Sequence, residues 1–456
     1  MCQSGGGALM KLLLTHGYFL FEDPKEQQIM KPYPPLGLLY LSSYLRQQGF
    51  AVEVYDSTFG SRKELFSLLR QGPPAILGVY VNLMTRTAAL EIIACGREAG
   101  WKVIVGGPEP ANYAERYLDA GADVVIAGEG ELALEQLLRS SFDKSQWPNI
   151  GGLIYRAPNG EVHRTPASLI KNLDAQPWPD RERIDMDRYL RTWRTFHGKG
   201  SVSLITARGC PYKCNWCSHS VYGSTHRRRS PHGVANEVEW ILNRYHPDML
   251  WLADDVFTIH HAWLFSFAAE MQKRGLVTPF ECITRADRLN ERVVDTLAEL
   301  RCFRVWIGSE SGSQRILDAM QRHVTVEQVR SAVRLCKARG IQTGMFLMWG
   351  YDGEEIEDIE QTVSHAKACQ PDVCFTTVSY PIKGTPYYER VSSRLVTLGD
   401  WTKTTDRDIR IKNRHSRRFY QYADELLKSE LSPVPDTARS VAARRGLQET
   451  RYEVEA

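Results

Sequence analysis

Three cysteines lie within eight residues, in the segment Cys210-Pro211-Tyr212-Lys213-Cys214-Asn215-Trp216-Cys217. The segment follows an apolar run, residues 201–206, that is typical of a strand. A loop after a strand can direct three thiolates to one point, and thiolates are the usual ligands of iron–sulfur clusters. A cubane cluster needs four ligands, so three thiolates would leave one iron open to a small molecule, as three-ligand zinc sites do.

The spacing Cys-x3-Cys-x2-Cys, with the aromatic Trp216 before the last cysteine, resembles the signature of the radical S-adenosylmethionine (radical SAM) enzymes. The resemblance implies that Cys210, Cys214 and Cys217 hold a [4Fe–4S] cluster whose open iron chelates the methionine end of S-adenosylmethionine (SAM). It also implies that an electron from the cluster releases a 5′-deoxyadenosyl radical. A non-catalytic zinc-binding protein is the alternative interpretation of the three thiols.

The length and composition exclude several other classes of protein. A chain of 456 residues predicts two or three domains. Its ten cysteines are spread over the whole sequence, unlike a dense secreted disulfide framework, so we expect a cytoplasmic protein. No apolar run is long enough to span a membrane. The net charge of +3 does not indicate a nucleic-acid partner, and there is no β-rich RNA-binding appendage of the kind found in tRNA-modifying relatives.

The first third of the chain, residues 1–140, alternates strand-like and helical patterns. This alternation predicts a Rossmann-like, doubly wound parallel sheet. The expected strands are residues 9–14, 51–55, 75–81, 102–105 and 123–127, and the expected helices are residues 35–48, 62–70, 86–99, 111–120 and 131–139. Two glycine-rich turns, residues 106–108 and 128–131, are expected at the carboxyl ends of strands, where such sheets bind ligands.

The same region resembles the cobalamin-binding domain that precedes many radical SAM domains. The resemblance is carried by residues 34–56 (PPLGLLYLSSYLRQQGFAVEVYD), 105–110 (VGGPEP) and 127–131 (AGEGE). The Asp-x-His-x-x-Gly signature, which supplies a histidine to cobalt, is missing, because residues 31–37 read KPYPPLG. Some relatives bind cobalamin without that histidine, so the sequence leaves cobalamin binding open.

Strands and helices alternate again in residues 198–390, after a polar linker at residues 141–197. The expected strands are residues 201–206, 249–252, 280–284, 303–307, 342–348 and 373–379. Six such units predict a partial (β/α)6 barrel of the TIM type, with its chemistry at the carboxyl ends of the strands. Residues 391–456 are expected to form a helical C-terminal region.

The radical SAM resemblance also assigns residues at these strand ends to SAM. Asp254 or Asp255 would receive the methionine ammonium, although either is also a common turn or helix-capping acid. Arg285 would pair with the methionine carboxylate, which suits a guanidinium fork, or would form a surface ion pair. Residues 308–314 (GSESGSQ) resemble a fourth-strand signature that faces the ribose and the methionine. The remaining SAM-binding residues implied by the resemblance are Ser309, Glu310 and Ser311, with Trp216 beside the adenine.

The sequence leaves three reactions open. The absent cobalt-ligating histidine and the lack of an added domain favour dehydration of a vicinal diol, as in relatives that deoxygenate aminoglycosides. The second reaction is cobalamin-dependent methylation of an unactivated carbon, and the third is oxidative ring formation, as in the anaerobic porphyrin cyclases. The expected partners are a small-molecule substrate, an electron donor of the flavodoxin or ferredoxin type, and a dehydrogenase of the same pathway.

Overall fold

The computed structural model describes residues 11–434 and 436–455, which form an α/β chain with two large sheets. The first predicted strand, residues 9–14, lies partly outside the described residues and is seen as Leu12–His16. Among the described residues, no helix is both long and apolar enough to cross a membrane.

The first sheet, within the described chain, has seven strands in the order β2-β1-β3-β4-β5-β6-β7. The strands are β1 (Leu12–His16), β2 (Val52–Tyr55), β3 (Ile76–Tyr80), β4 (Lys102–Gly106), β5 (Val124–Ile126), β6 (Leu153–Arg156) and β7 (Val162–Arg164). The helices are α1 (Pro24–Ile29), α2 (Leu36–Gln47), α3 (Arg62–Gln71), α4 (Arg86–Glu98), α5 (Ala114–Asp119) and α6 (Gly130–Arg139). Because β1 to β5 are parallel, their carboxyl ends meet at one edge.

Apolar clusters cover both faces of this sheet, as expected for a doubly wound fold. Successive side chains of a strand point to opposite faces. Leu12 and Leu14 of β1 therefore pack in one buried cluster with residues of α2 and α6. Leu13 packs in the other buried cluster, with residues of α3 and α4. The Rossmann-like prediction is confirmed.

The hairpin β6–β7 belongs to this first sheet. The sequence places both strands in the linker at residues 141–197, but Ile154 of β6 pairs in antiparallel register with Val125 of β5. The sheet is therefore two strands longer than predicted. A turn at Asn159-Gly160 indicates a hairpin, but no local pattern shows which strand the hairpin joins.

The second sheet, as far as the structure describes it, has six parallel strands in the order β15-β14-β13-β12-β11-β8. These strands are β8 (Ser201–Leu204), β11 (Met249–Leu252), β12 (Phe280–Thr284), β13 (Cys302–Glu310), β14 (Gln342–Trp349) and β15 (Val373–Val378). A two-stranded ribbon, β9 (Ala207–Arg208) and β10 (Arg227–Arg228), follows β8. The helices are α7 (Met186–His197), α8 (Pro231–Tyr245), α9 (His261–Lys273), α10 (Glu291–Glu299), α11 (Gln314–Ala319), α12 (Val326–Ala338) and α13 (Ile356–Cys369). This is the predicted partial barrel.

The C-terminal region is less helical than predicted. It contains α14 (Pro386–Val391), a small ribbon of β16 (Leu395–Val396) and β17 (Arg410–Ile411), α15 (Arg417–Leu431) and α16 (Thr437–Glu449). The long helix α15 begins only at Arg417, after the ribbon. Ile411 pairs with Leu395, and Ser416 caps the helix by accepting a hydrogen bond from the amide of Phe419.

Buried ion pairs join the first sheet to the barrel. Arg208 on β9 donates from Nη1 to Glu129 and from Nη2 to Glu131, both at 2.7 Å. Arg227 on β10 donates to the second oxygen of Glu129 at 2.7 Å. Since Arg208 precedes Cys210 by two residues, this network fixes the start of the cysteine loop against the glycine-rich turn of residues 128–131.

We predict that Arg208→Met lowers the free energy of unfolding by about 3–5 kcal/mol, because it leaves the buried Glu131 carboxylate without its cation and Glu129 with Arg227 alone. Urea denaturation of the full chain measures this loss. The control is Arg164→Met, which breaks the pair between Arg164 and Glu115, whose side chains are 49% and 50% exposed. The control should lose less than about 1 kcal/mol, and equal losses in the two variants would contradict the prediction.

Candidate active site at the cysteine loop

The cysteine loop begins at Gly209, which has a φ of 84°. A Cβ at this position would lie 2.3 Å from the carbonyl oxygen of Thr225, so only glycine fits the turn. Further along the loop, Asn215 donates from its backbone amide to the carbonyl of Met320 and from Nδ2 to that of Ala319, both at 3.1 Å. The loop is therefore held against the C-terminal end of α11.

The three thiols of the loop lie close enough to affect one another. Cys214 is buried, Cys210 is half-buried and Cys217 is exposed along one wall of a cavity. Desolvation raises the pKa of the Cys217 thiol to about 12, and the charges of Cys214 and Cys210 add to that rise. Among the described residues, no group of three His, Cys, Asp or Glu side chains has preformed metal-binding geometry. Cluster ligation by the three cysteines stays a prediction.

Two buried arginines point at the most buried of these thiols. Arg285 and Arg322 each place Nη1 3.8 Å from the Sγ atom of Cys214. The Arg285 guanidinium also lies 3.7 Å from the centre of the Tyr212 ring, which belongs to the same loop. Guanidinium donors beside a sulfur stabilise its thiolate form, which is the form that binds metals.

Arg285 is predicted to bind the methionine carboxylate, but protein groups already contact its three guanidinium nitrogens. Nε lies 2.8 Å from Asp287, and Nη2 donates to the carbonyl of Arg322 at 2.8 Å, while Nη1 faces Cys214. It is also not a surface ion pair, since it is 1% exposed. Its role towards SAM stays a prediction.

Arg322 was not among the predicted site residues. It lies in the turn after α11, between Gln321 with a φ of 51° and His323 with a φ of 52°. Its Nη2 donates to the carbonyl of Gly308 at 2.8 Å, and its Nε lies 3.9 Å from Glu310. The only sequence signal was its position shortly after the GSESGSQ segment, which does not show what the side chain contacts.

Two serines of the fourth-strand segment contact a neighbouring helix. The Ser309 hydroxyl lies 3.0 Å from Nε2 of His365, and the Ser311 hydroxyl lies 3.1 Å from that of Thr362. Both partners belong to α13, so the two buried serines fasten the end of β13 to this helix, and their contact with the ribose stays a prediction. The sequence could not show these contacts, because α13 lies about 50 residues further along the chain.

Glu310 is the acidic side chain that this segment brings near the cysteine loop. It has a φ of 63°, and the register between β13 and β14 shifts between Gly308 and Glu310. Desolvation raises the pKa of Glu310, against the opposing charges of Arg322 and Arg285. A residue other than glycine is strained at a positive φ of this kind, and such strain is often found at functional sites.

The two adjacent aspartates have different surroundings. Asp254 is buried and accepts hydrogen bonds from the amides of Thr206 and Ala207 and from Arg228, at 2.7, 3.0 and 2.7 Å. Its oxygens hold the ends of neighbouring strands together, as a turn acid does. Asp255 is exposed, and desolvation raises the pKa of its carboxyl group, with the Asp254 charge adding to the rise. Of the two, Asp255 is the one available to an ammonium group.

Trp216 is half-buried and packs against a small apolar cluster that includes Met320, Met348, Tyr351 and Tyr387. This packing places the indole beside the end of β14 and the turn after α11. Its predicted position beside the adenine stays a prediction.

Residues 217–222 contribute to the walls of two cavities. One, of 330 Å³, is lined by Cys214 and Cys217 together with Asn112 from the first domain and Gly384 from the segment before α14. Lys213 and His219 add polar groups to its wall. It therefore lies between the cysteine loop, the first domain and the C-terminal region.

The other cavity, of 290 Å³, lies at the carboxyl edge of the first sheet. Apolar side chains from β1, β3, β4, β5, α2 and α6 line most of it, and Glu129, Glu131 and Arg208 lie at its polar side. A Cβ at Gly37 or Gly106 would have no atom closer than 3.8 Å, so a side chain there would fill the open space. Both predicted glycine-rich turns line this cavity.

Family models match both halves of the chain. The model of the radical SAM superfamily matches residues 204–366, and the model of the B12-binding domain matches residues 28–138. The chain contains a radical SAM domain and a B12-binding domain. The radical SAM domain implies a [4Fe–4S] cluster and SAM as its cofactors.

Known relatives match most of the length of the chain. An uncharacterised methyltransferase of Pyrococcus horikoshii is 29% identical over 84% of this chain and 84% of its own. The anaerobic magnesium-protoporphyrin IX monomethyl ester cyclase of Rubrivivax gelatinosus is 25% identical over 76% of this chain, and the match spans only 64% of the cyclase.

Solved structures share the fold. The radical SAM methyltransferase TsrM of Kitasatospora setae, with cobalamin and a [4Fe–4S] cluster bound, has a TM-score of 0.70 at 21% identity, over 84% of this chain and 78% of TsrM. The cobalamin-dependent radical SAM enzyme OxsB has a TM-score of 0.74 at 19% identity, over 92% of this chain and 66% of OxsB.

Proposed function

We propose that this protein is a cobalamin-dependent radical SAM enzyme that modifies a small molecule. Cys210, Cys214 and Cys217 hold the [4Fe–4S] cluster, which supplies the electron that cleaves SAM. A flavodoxin or ferredoxin delivers that electron from outside. The observation that carries the proposal is that two buried arginines face Cys214, in a loop where the charges of the other two thiols and Asp255 act on Cys217, beside a cavity.

The residues around Cys214 suit a metal-binding thiolate. Arg285 and Arg322 supply two positive charges in a buried environment, where such charges act more strongly than in water. Asp255 carries an exposed carboxylate near Cys210 and Cys217, so an ammonium bound beside the cluster would have an anionic partner. A zinc knuckle requires neither the arginines nor this carboxylate.

The 290 Å³ cavity supports cobalamin binding without a histidine ligand. The fit rests on Gly37 and Gly106, where the wall leaves room for a bulky group, and on the predominantly apolar lining. His16, at the end of β1, is no candidate for cobalt. Its Nε2 is bonded to Asp56 at 2.9 Å, and its Nδ1 accepts from the amide of Tyr18 at 3.2 Å.

The substrate would occupy the 330 Å³ cavity, which has the size of a small-molecule site. Asn112, Lys213 and His219 offer donors and acceptors for a polar substrate. Cys217 forms part of the same wall, so a substrate held there lies close to the cluster. The cavity opens between two domains, which is a common location for ligand sites.

Methyl transfer is the first candidate reaction. It is favoured by the names of several relatives, among them the cytidylyl-2-hydroxyethylphosphonate methyltransferase of Streptomyces wedmorensis and the hopanoid C-3 methylase of Methylococcus capsulatus. The identities of 23% do not carry a substrate over to this chain. The comparisons therefore reverse the order of preference that the sequence motifs alone suggest.

Dehydration of a vicinal diol in an aminosugar is the second candidate. Loss of hydroxide from a substrate radical requires an acid close to the cluster. Asp255 is the candidate for that acid in its protonated form, since desolvation raises the pKa of its carboxyl group and its charge acts on Cys210 and Cys217.

The two candidates differ in the nucleosides they release. The reduced, anaerobically reconstituted protein is incubated with SAM, and the products are measured by mass spectrometry with and without added cobalamin. Methyl transfer predicts 5′-deoxyadenosine together with S-adenosylhomocysteine, dependent on cobalamin. Dehydration predicts 5′-deoxyadenosine alone. Neither product, with zinc in the metal analysis, would contradict the enzyme proposal.

Variants of two cysteines provide the control for this measurement. Cys214→Ala should abolish both the cluster and nucleoside formation, since it removes one of three proposed ligands. Cys374→Ala, at a half-buried position on β15, should retain both. If Cys214→Ala kept its iron and its products, the assignment of the cluster to this loop would fail.

We predict that Gly37→Leu weakens cobalamin binding at least tenfold, because the new side chain fills the cavity. Leucine is a better helix former than glycine by about 1 kcal/mol, so loss of binding cannot come from an unstable α2. Equilibrium dialysis with hydroxocobalamin measures the affinity. Gln47→Leu, on the exposed end of the same helix, is the control and should bind normally. Equal affinity in the two variants would place cobalamin elsewhere.

A further inference from the structure

We infer that Arg285 and Arg322 set the reduction potential of the iron–sulfur cluster by donating N–H···S hydrogen bonds to Cys214. The inference rests on the proposed function, because it takes Cys214 as a cluster ligand. Neither arginine needs to touch the substrate for this role, so both are positioning residues that act through the thiolate.

The geometry places two cations on a single sulfur. The Nη1 atoms of Arg285 and Arg322 are both 3.8 Å from the Sγ atom of Cys214. Cys214, Arg285 and Arg322 are 8%, 1% and 6% exposed, so solvent screens these contacts little. Together the arginines form a positively charged pocket around the most buried of the three thiols.

Both guanidinium groups are held in place by further bonds. Arg322 donates from Nη2 to the carbonyl of Gly308, and Arg285 donates from Nη2 to the carbonyl of Arg322, each at 2.8 Å. The pair is thus linked, and each arginine directs its Nη1 atom to the sulfur. Asp287 fixes the Nε side of Arg285 at 2.8 Å.

The backbone around Arg322 is strained. Gln321 and His323 flank it with φ angles of 51° and 52°, and its neighbour Glu310 has a φ of 63°. Such conformations persist only where the surrounding structure imposes them, and they are concentrated at functional sites. Here the strain is located at the residues that aim one guanidinium at one thiol.

The direction of the effect follows from electrostatics. Reduction adds one electron to the cluster, so donors and positive charges near its sulfurs stabilise the reduced form more than the oxidised form. Arg285 and Arg322 therefore raise the potential and make the cluster easier to reduce. Glu310, whose carboxylate lies 3.9 Å from Arg322, partly offsets that charge.

The test is a redox titration of the full-length, anaerobically reconstituted protein, followed by electron paramagnetic resonance of the reduced cluster. At the midpoint potential of the parent protein, Arg322→Gln should lower the ratio of reduced to oxidised cluster at least tenfold. That change equals a fall of 59 mV for a one-electron couple. Arg285→Gln should act in the same direction.

Arg315→Gln is the matched control. Arg315 lies on α11, just before the same turn, but its guanidinium contacts Asp358 and the carbonyl of Gly353 and no thiol. The control removes one arginine from this region and should leave the potential unchanged. A shift of equal size in the control would mean that general charge loss, and not contact with Cys214, causes the effect.

The outcomes separate this inference from the proposed function. A parent protein that binds no iron would overturn both. An unchanged or raised potential in the two arginine variants, with clusters present, would overturn the inference alone. The titration measures the potential only of protein molecules that carry a cluster, so incomplete cluster loading of a variant does not change the measured potential. If the Arg322→Gln variant binds no cluster, the midpoint potential of the Arg285→Gln variant is compared with that of the parent protein instead.

Discussion

The buried network of Arg208, Arg227, Glu129 and Glu131 is the interaction on which the active site depends. Its four charges lie between the glycine-rich turn of the first sheet and the ribbon that precedes the cysteine loop. A buried carboxylate needs such partners, so separating the two domains would cost free energy. The network sets the position of Cys210 relative to the 290 Å³ cavity, and thereby of one proposed cofactor relative to the other.

A second constraint acts at the other end of the cysteine loop. Asn215 binds the C-terminal end of α11, and Arg322, in the turn that follows, reaches back to Cys214. The loop and the fourth strand of the barrel are thus locked together through side chains and strained backbone. These contacts hold Cys214 in place and put positive charge beside it, which would favour the reduced form of a cluster bound there.

The sequence predicts the parts of this structure that depend on local pattern. Alternating apolar runs located the parallel strands, and the cysteine spacing located the site. The sequence does not show that Asp254 and Asp255 have different surroundings. The groups that bind Asp254 are Arg228 and the amides of Thr206 and Ala207, which are distant along the chain. The sequence did not show the contacts of Ser309 and Ser311 with α13, or that of Arg322 with Cys214, because these partners are distant along the chain.

The most direct test of the central claim is the electron paramagnetic resonance spectrum of the reduced protein before and after SAM is added. The account predicts the signal of a reduced [4Fe–4S] cluster, with g values that shift when SAM occupies the open iron beside Cys210, Cys214 and Cys217. An unshifted signal would contradict SAM binding at the cluster. A silent protein that carries zinc would contradict the cluster itself.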